Sequence, residues 1–262
     1  MTQNTTRTLK AVRGLSLGTW LIAVAGLLGA VPALAGDRAQ ANYLGFSDDG
    51  RYFAYEQYGI LDGVGGFYSG VFVIDLTEDK WLEGVPFSAE ADGEDETQSL
   101  ANTRATALQA AQPLLDQYGI NNPVAIAALN GDGLLGPDGQ PLDGKTVRFG
   151  QPFYAGIQYD YTLSLDQLEA GNSVACPESA DGPYQGFALT LTNNEHKSTR
   201  EPHRDAAQQP LPKSRGCALH YSIYSIVYPL ESEGDPIALI SIYTQGFEGL
   251  DRRFMAVPVG TL

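Results

Sequence analysis

Leu44-Gly45-Phe46-Ser47-Asp48-Asp49-Gly50-Arg51-Tyr52-Phe53-Ala54-Tyr55-Glu56 is the stretch on which the fold turns. Asp49-Gly50 is a tight-turn pair, because glycine enters the φ > 0 region without a Cβ clash. Aromatic and small residues then run in extended fashion through Gln57. Leu61 to Gly70 holds a glycine- and aspartate-rich hairpin loop, and the chain returns as Val71-Phe72-Val73-Ile74-Asp75-Leu76, rich in β-branched and aromatic side chains. Thr77-Glu78-Asp79-Lys80 turns it again toward Trp81. Residues 44 to 82 therefore read as a β-meander.

That meander resembles a single blade of the propellers found in exported TolB-like proteins, which carry a similar Phe-Ser-x-Asp-Gly-Arg run followed by a Val-x-Asp-Leu strand. A propeller repeats its unit about every 40–45 residues. One echo, Gly246-Phe247-Glu248-Gly249-Leu250-Asp251-Arg252-Arg253-Phe254, and no third copy argue against a full propeller.

Beyond the meander, residues 88 to 96 read as a polar, acidic loop. A helix is expected from about Gln98 to Tyr118, with Leu100, Ala107, Leu108, Ala111, Leu114, Leu115 and Tyr118 on one face and Gly119 as its C-terminal cap. Pro113 lacks an N–H for the carbonyl of Gln109, which predicts a kink or a split. Strands are expected at Thr146–Phe149, Gly156–Leu165, Gly186–Thr192, Leu219–Tyr228, Ile237–Tyr243 and Arg253–Val257. Residues 193 to 216 lack periodicity and read as a long surface loop. The fold class is mainly β with one main helix (α+β), its antiparallel sheets stacked in a sandwich-like arrangement.

The first 35 residues read as a secretory leader. Arg7, Lys10 and Arg13 form a basic start, an apolar run follows from Leu15, and Ala33 and Ala35 present small residues to a signal peptidase cutting before Gly36. A Gly14-Leu15-Ser16-Leu17-Gly18 match to a nucleophile elbow falls inside this leader, away from any strand–turn–helix of a folded sheet, and carries no weight. Cleavage leaves 36–262 as one secreted domain, with a split near residue 122 as the alternative, and no stable membrane anchor. It also takes the formal net charge from −15 to −18. So acidic a surface repels nucleic-acid phosphate. Cys176 and Cys217, an even pair in an exported chain without C-x-x-C spacing, read as one disulfide.

No catalytic or metal-ligating constellation stands out, and no cofactor is implied. Glu90, Asp92, Glu94, Asp95 and Glu96 could attract calcium, but nothing arranges them in a shell, and a solvated loop explains them. Asn130-Gly131-Asp132-Gly133 puts Ala128 where an EF-hand loop needs its first oxygen ligand. His196 and His203 are too far apart in an irregular segment for usual zinc spacing, and His220 stands alone. Lys197, Arg200, Arg204, Lys213 and Arg215 form the one local basic patch, a candidate anion-contact loop that Glu195, Glu201 and Asp205 could equally balance. Tyr221, Tyr224, Tyr228 and Tyr243 either line a contact surface or edge a core with their hydroxyls in water.

Gly45-Phe46-Ser47 through Ala54, Val73-Ile74-Asp75-Leu76 with Trp81, Arg215-Gly216-Cys217, and Gly246-Phe247-Glu248-Gly249 with Asp251-Arg252-Arg253 and Ala256-Val257-Pro258 together resemble the domain of unknown function 2259 family of bacterial predicted secreted proteins. The resemblance implies export and a shared fold and brings no functional residues. The expectation is a non-catalytic binding or structural protein of the envelope or extracellular space, with a protein or ligand partner. An envelope hydrolase using paired carboxylates is the alternative.

Overall fold

The computed structural model describes Met1 and residues 36–61, 63–131, 144–151, 160–171, 176, 182–211, 215–232, 234–247 and 249–260. Residues 2–35 of the expected leader, together with Lys213 and Asp132-Gly133, lie outside the described residues.

The opening stretch folds as expected. Strands β1 (Gln40–Ser47), β2 (Tyr52–Ile60) and β3 (Phe67–Asp75) form an antiparallel meander, and β4 (Lys80–Trp81) and β5 (Phe87–Ala91) share the outer edge of β3. Residues 87–91 are thus an edge strand where a loop was expected. Their side chains alternate between half-buried and exposed, with serine and glutamate outward, a pattern too polar to announce a strand. After helix α1 (Leu100–Gln117), β6 (Ile120–Asn122) closes the other edge of this first sheet against β1.

At Pro123 the chain crosses into a second sheet. Its order is β14 (Leu250–Pro258), β13 (Ile237–Gln245), β12 (Ala218–Pro229), β7 (Val124–Leu129). A third sheet runs β11 (Thr199–Arg204), β10 (Gln185–Asn193), β9 (Tyr161–Glu169), β8 (Thr146–Phe149). All three sheets are antiparallel.

Side-chain parity stacks these elements into layers. On β13, Ile237 and Leu239 face the first sheet, while Ala238, Ile240 and Ile242 face the third. On β14, Phe254 and Ala256 turn one way and Met255 and Val257 the other. A strand wanted by two cores must be apolar at nearly every position, which is why 237–243 reads as a hydrophobic run broken only by Ser241. The first sheet answers with Phe46, Phe53, Tyr55, Tyr68, Phe72 and Ile74. The third answers with Val147, Phe149, Leu163, Leu165, Phe187, Leu189 and Leu191. A bulge between Ile223 and Ser225 lets Tyr221, Ile223, Ile226 and Tyr228 all face the third sheet.

The middle sheet must also protect its β14 edge, which otherwise offers unpaired peptide groups. Residues 36–39 cover one end: Arg252 donates its N–H to the Asp37 carbonyl at 2.7 Å, and Ala39 donates to the Arg252 carbonyl at 3.1 Å. Gly36 makes this approach feasible, since a Cβ there would overlap the Leu250 carbonyl. Two residues along, Gln57 Oε1 accepts the Phe254 N–H (2.8 Å) and Tyr55 donates its hydroxyl to the Phe254 carbonyl (2.9 Å). Asp37 is fixed from three sides, by Arg253 at 2.6 Å, the Tyr68 hydroxyl at 2.9 Å and its own N–H on Asp251 Oδ1 at 2.8 Å.

On its outer face the first sheet packs Ala54, Val71 and Val73 against Ala107, Ala111 and Leu115 of α1. Ser99 caps the helix N-terminus through the Asn102 N–H, and Gly119 follows its last turn at φ 61°. The helix is not split at Pro113. It is pinned by a buried carboxylate: Glu56, fully enclosed, takes two bonds from Arg104 (both 2.8 Å), one from Asn42 (3.0 Å) and one from Ser69 (2.9 Å). The Arg104 guanidinium lies 3.6 Å over the Tyr58 ring. Burial is the strongest single influence on Glu56 and raises its pKa, but the donors together outweigh it, and the net shift is downward.

Arg104→Ala would leave that charge enclosed without its cation, and urea unfolding is expected to show a loss of about 3 kcal/mol. The sign for acid follows from the lowered pKa. The contribution of Glu56 is complete above the unfolded carboxyl value of 4.5 and is lost as pH falls through the lower folded one. The wild-type chain should therefore lose stability on acidification below that range, and Glu56→Gln should flatten this part of the profile.

Candidate functional site

The turns converge at the two ends of the stacked sheets. At one end the β1–β2 turn, the β3–β4 turn, the segment linking β12 to β13 and the end of β14 enclose a cleft of about 1160 Å³, into which Gln151 also projects. Its apolar wall includes Leu76, Leu230, Ile237 and Pro258, and its polar side chains include Asp49, Glu231 and Asp235. Asp49 is a turn residue: its Oδ1 accepts the Ser47 hydroxyl at 2.6 Å and the Arg51 N–H at 3.0 Å, and these bonds lower its pKa. Arg51 turns away to Asp75, which it grips through Nε (3.1 Å) and Nη2 (2.7 Å), holding that carboxyl below its usual range. Asn122 supports the opposite wall, donating to Ser232 Oγ at 2.8 Å and accepting the Glu231 N–H at 2.9 Å.

Beneath the cleft lies Tyr228. It is 2% exposed, lines the cleft and packs on Phe149, and its hydroxyl has no hydrogen-bond partner among the described residues. Tyr221 and Tyr243 are equally enclosed with unbonded hydroxyls, and Tyr224 is half-buried against Phe254. Tyr221, Tyr228 and Tyr243 are thus interior residues, and the expected core edge with wet hydroxyls does not describe these three. Burial is the main cause that pushes the phenols of Tyr221 and Tyr228 upward.

The basic patch is structured differently from the loop expected at 193–216. Residues 199–204 are the edge strand β11 on β10, with Pro202 tolerated because an edge strand has donors to spare. Lys197 sits in the preceding turn at φ 57°. The Arg200 guanidinium lies against Gly260. Arg204 makes a two-pronged, exposed pair with Glu201 at 2.8 and 2.6 Å. Arg215 is turned inward: its Nη2 reaches His203 Nε2 at 3.1 Å and Asp205 Oδ1 at 3.5 Å, and its guanidinium lies over Phe187. Asp205 also contacts His203 Nε2 (3.2 Å) and accepts the Phe187 N–H (3.1 Å). Burial opposes its charge most strongly, yet these partners together leave its pKa lowered. Beside this cluster Cys176 and Cys217 are joined with Cα atoms 5.6 Å apart. The ring they close spans 41 positions and is worth about 4 kcal/mol on the chain-entropy estimate.

His203 is therefore engaged with Asp205 and Arg215, His196 is exposed in a turn, and His220 is buried beside Tyr243. Among the described residues no group of three His, Cys, Asp or Glu side chains could hold a metal ion, and no helix is long and apolar enough to cross a membrane. In the acidic stretch, Asp92 and Asp95 each accept an N–H two residues on, so those two carboxylates organise their own turns.

The contrast between the two arginines is measurable. Arg215→Ala strips the cation from the enclosed Asp205 and is expected to lower unfolding free energy by about 3 kcal/mol. Arg204→Ala, from an exposed pair, should leave it close to the wild-type value.

A search of curated proteins finds no match. A family model described as "Predicted secreted protein (DUF2259)" matches residues 54–260, from β2 to just past the end of β14. With most of its length matched and β3, the Arg215-Gly216-Cys217 corner and the β14 edge all inside that span, the chain belongs to the DUF2259 family of predicted secreted proteins.

Proposed function

We propose that the chain is a non-catalytic binding protein of the periplasm or extracellular space, and that the cleft beneath the β1–β2 and β12–β13 turns is its ligand site. On this reading residues 1–35 are removed between Ala35 and Gly36, and 36–262 is released as one secreted domain. The family description supports export. The disulfide suits an oxidising compartment. The position of Gly36 suits a new N-terminus, since the very next residues pair with β14 and belong to the fold.

One observation carries the choice of binding over hydrolysis. The carboxylates inside the fold are each held by a cation: Glu56 by Arg104, Asp37 by Arg253, Asp75 by Arg51, Asp205 by Arg215 and His203. The resolved shifts among described carboxyls, at Asp49, Glu56, Asp75, Asp95, Glu201 and Asp205, are all downward. A carboxyl acting as general acid near neutral pH needs the opposite shift. The large cleft, part apolar wall and part acidic rim, has the make-up of a recognition surface.

Two measurements test this. The exported protein, isolated from the periplasm or medium, should have the mass of a chain beginning at Gly36. A mass that retains the leader would overturn the cleavage. The same protein, assayed on chromogenic glycosides and esters, should give no turnover. A turnover abolished by Glu231→Gln or Asp235→Asn would establish the hydrolase instead.

A further inference from the structure

Cations are outnumbered in this chain, and its arginines are almost all taken. Among the described residues Arg51, Arg104, Arg204, Arg215 and Arg253 pair with carboxylates. Arg252 donates to the Ala39 carbonyl, and Arg148 and Arg200 have partners of their own. Arg38 is the exception. It is half-buried, and its guanidinium makes no hydrogen bond or ion pair with the described residues. A guanidinium drawn part-way out of water without a counter-ion is costly. A like charge adds to that cost: burial first, and then the nearby Arg38, lower the Arg252 pKa to about 10.

That unmatched charge borders a cleft. At the end of the stack opposite the large cleft, Arg38 lines a space of about 480 Å³. Its Nη1 is enclosed, but the other guanidinium nitrogens keep accessible surface on a side chain that faces this space. Tyr58, Ile60, Leu61 and Leu100 give the cleft an apolar wall. Asp37 is the only carboxylate among its described lining residues, and Arg253 and Tyr68 already hold it. Leu100 is also the first residue of α1, so the positive end of that helix adds to the potential at the wall. Gly36 lines the same cleft, and cleavage before it leaves an α-ammonium there at neutral pH.

From this arrangement we infer that the smaller cleft binds an organic carboxylate with an apolar body. Arg38 and the Gly36 ammonium receive the carboxylate, and Ile60, Leu61 and Leu100 receive the body. Arginine presents paired N–H groups in the geometry a carboxylate matches. The site is separate from the large cleft, and its second cation rests on the cleavage reading given above. The body is an alkyl chain or an aromatic ring, and the probes separate these two sources. An anion approaches against the net charge of the chain, so the expected affinity is modest, about 1 mM or somewhat tighter.

The experiment uses the protein isolated from the periplasm or medium, isotopically labelled, after its mass has been measured. Backbone amides of Gln40, Gly59 and Gly65 report on this cleft, and those of Gly50, Thr77 and Gly234 report on the large one. The probes are hexanoate, benzoate, 1-hexanol, hexylamine and inorganic phosphate. Saturable shifts at the first three reporters with hexanoate, benzoate or both, and weaker or none with the others, are the expected result. Hexanoate alone assigns the alkyl source, and benzoate alone the aromatic one. Arg38→Gln should weaken the carboxylate about tenfold or more without lowering the melting temperature, because Arg38 has no bond of its own to lose. A merely structural Arg38 would do the reverse. A chain begun two residues earlier, at Leu34, moves the ammonium away and should bind severalfold more weakly.

Shifts of the same size with 1-hexanol or hexylamine would overturn the carboxylate assignment, and equal binding of phosphate would overturn the organic class. Shifts confined to the large-cleft reporters would overturn the placement. No shift in a chain that begins at Gly36 would overturn the site and leave the cleavage reading standing. A mass that retains the leader would overturn the cleavage and, with it, the Gly36 ammonium as a binding group.

Discussion

Strands β12, β13 and β14 of the middle sheet are covered on both faces, and the rest of the molecule is arranged around that constraint. Ile237, Leu239, Phe254 and Ala256 need one apolar cover, while Ala238, Ile240, Met255 and Val257 need another. An antiparallel sheet commonly packs one face and wets the other. Here the covers are two further sheets, and the first of them carries α1 on its own far face. The β14 edge is subject to the same demand, which residues 36–39, Tyr55 and Gln57 meet with backbone and side-chain hydrogen bonds. The segment just after the expected cleavage site is therefore part of the wall.

Charge is distributed by the same logic. The chain has nearly twice as many acidic as basic residues, so its arginines are scarce, and several are committed to enclosed carboxylates. Arg104 reaches from the helix to Glu56 and fastens two layers, Arg253 fastens Asp37 to β14, and Arg215 fastens the disulfide corner to β10 through Asp205. Ion pairs of this kind gain little over apolar packing but are expensive to break from one side. They therefore act more on which segments meet than on net stability. The cleft rim is acidic too, with Asp49, Glu231 and Asp235 along it.

Much of this architecture is legible from the amino acids, and the parts that are not have physical reasons. The meander, the helix and the strands at 186–192, 219–228 and 237–243 announce themselves by aromatic, β-branched or helical periodicity. The strands that escape are edges or short: β5 alternates serine and glutamate outward, β11 is Thr-Arg-Glu-Pro-His-Arg, and β7 follows a proline and is half alanine. Their pairing is supplied by a neighbour's free peptide groups, which no local pattern records. Asp205 and Arg215 were legible as opposite charges in one segment, but not as a buried cluster with His203. The cleft was less legible still. Its walls come from four segments spread across two hundred positions, and each reads by itself as an ordinary turn.

The two ends of the stack differ in a way that bears on where function resides. At the end bearing the 61–66 loop, the N-terminal segment enters beside β14, and Asp37 is saturated by Arg253, Tyr68 and its own N–H on Asp251. The clefts at that end are smaller, about 480 Å³ beside Asp37 and about 590 Å³ beside Glu90. At the opposite end the supporting bonds lie behind the surface, from Asn122 to Ser232 and from Arg51 to Asp75, and they hold the turns apart around a cavity. Tyr221 and Tyr243, away from the cavity, are enclosed in the same way as Tyr228, so the phenol beneath the cavity does not by itself mark it, and what singles out this end is the volume of the cleft and its mixed apolar and acidic lining.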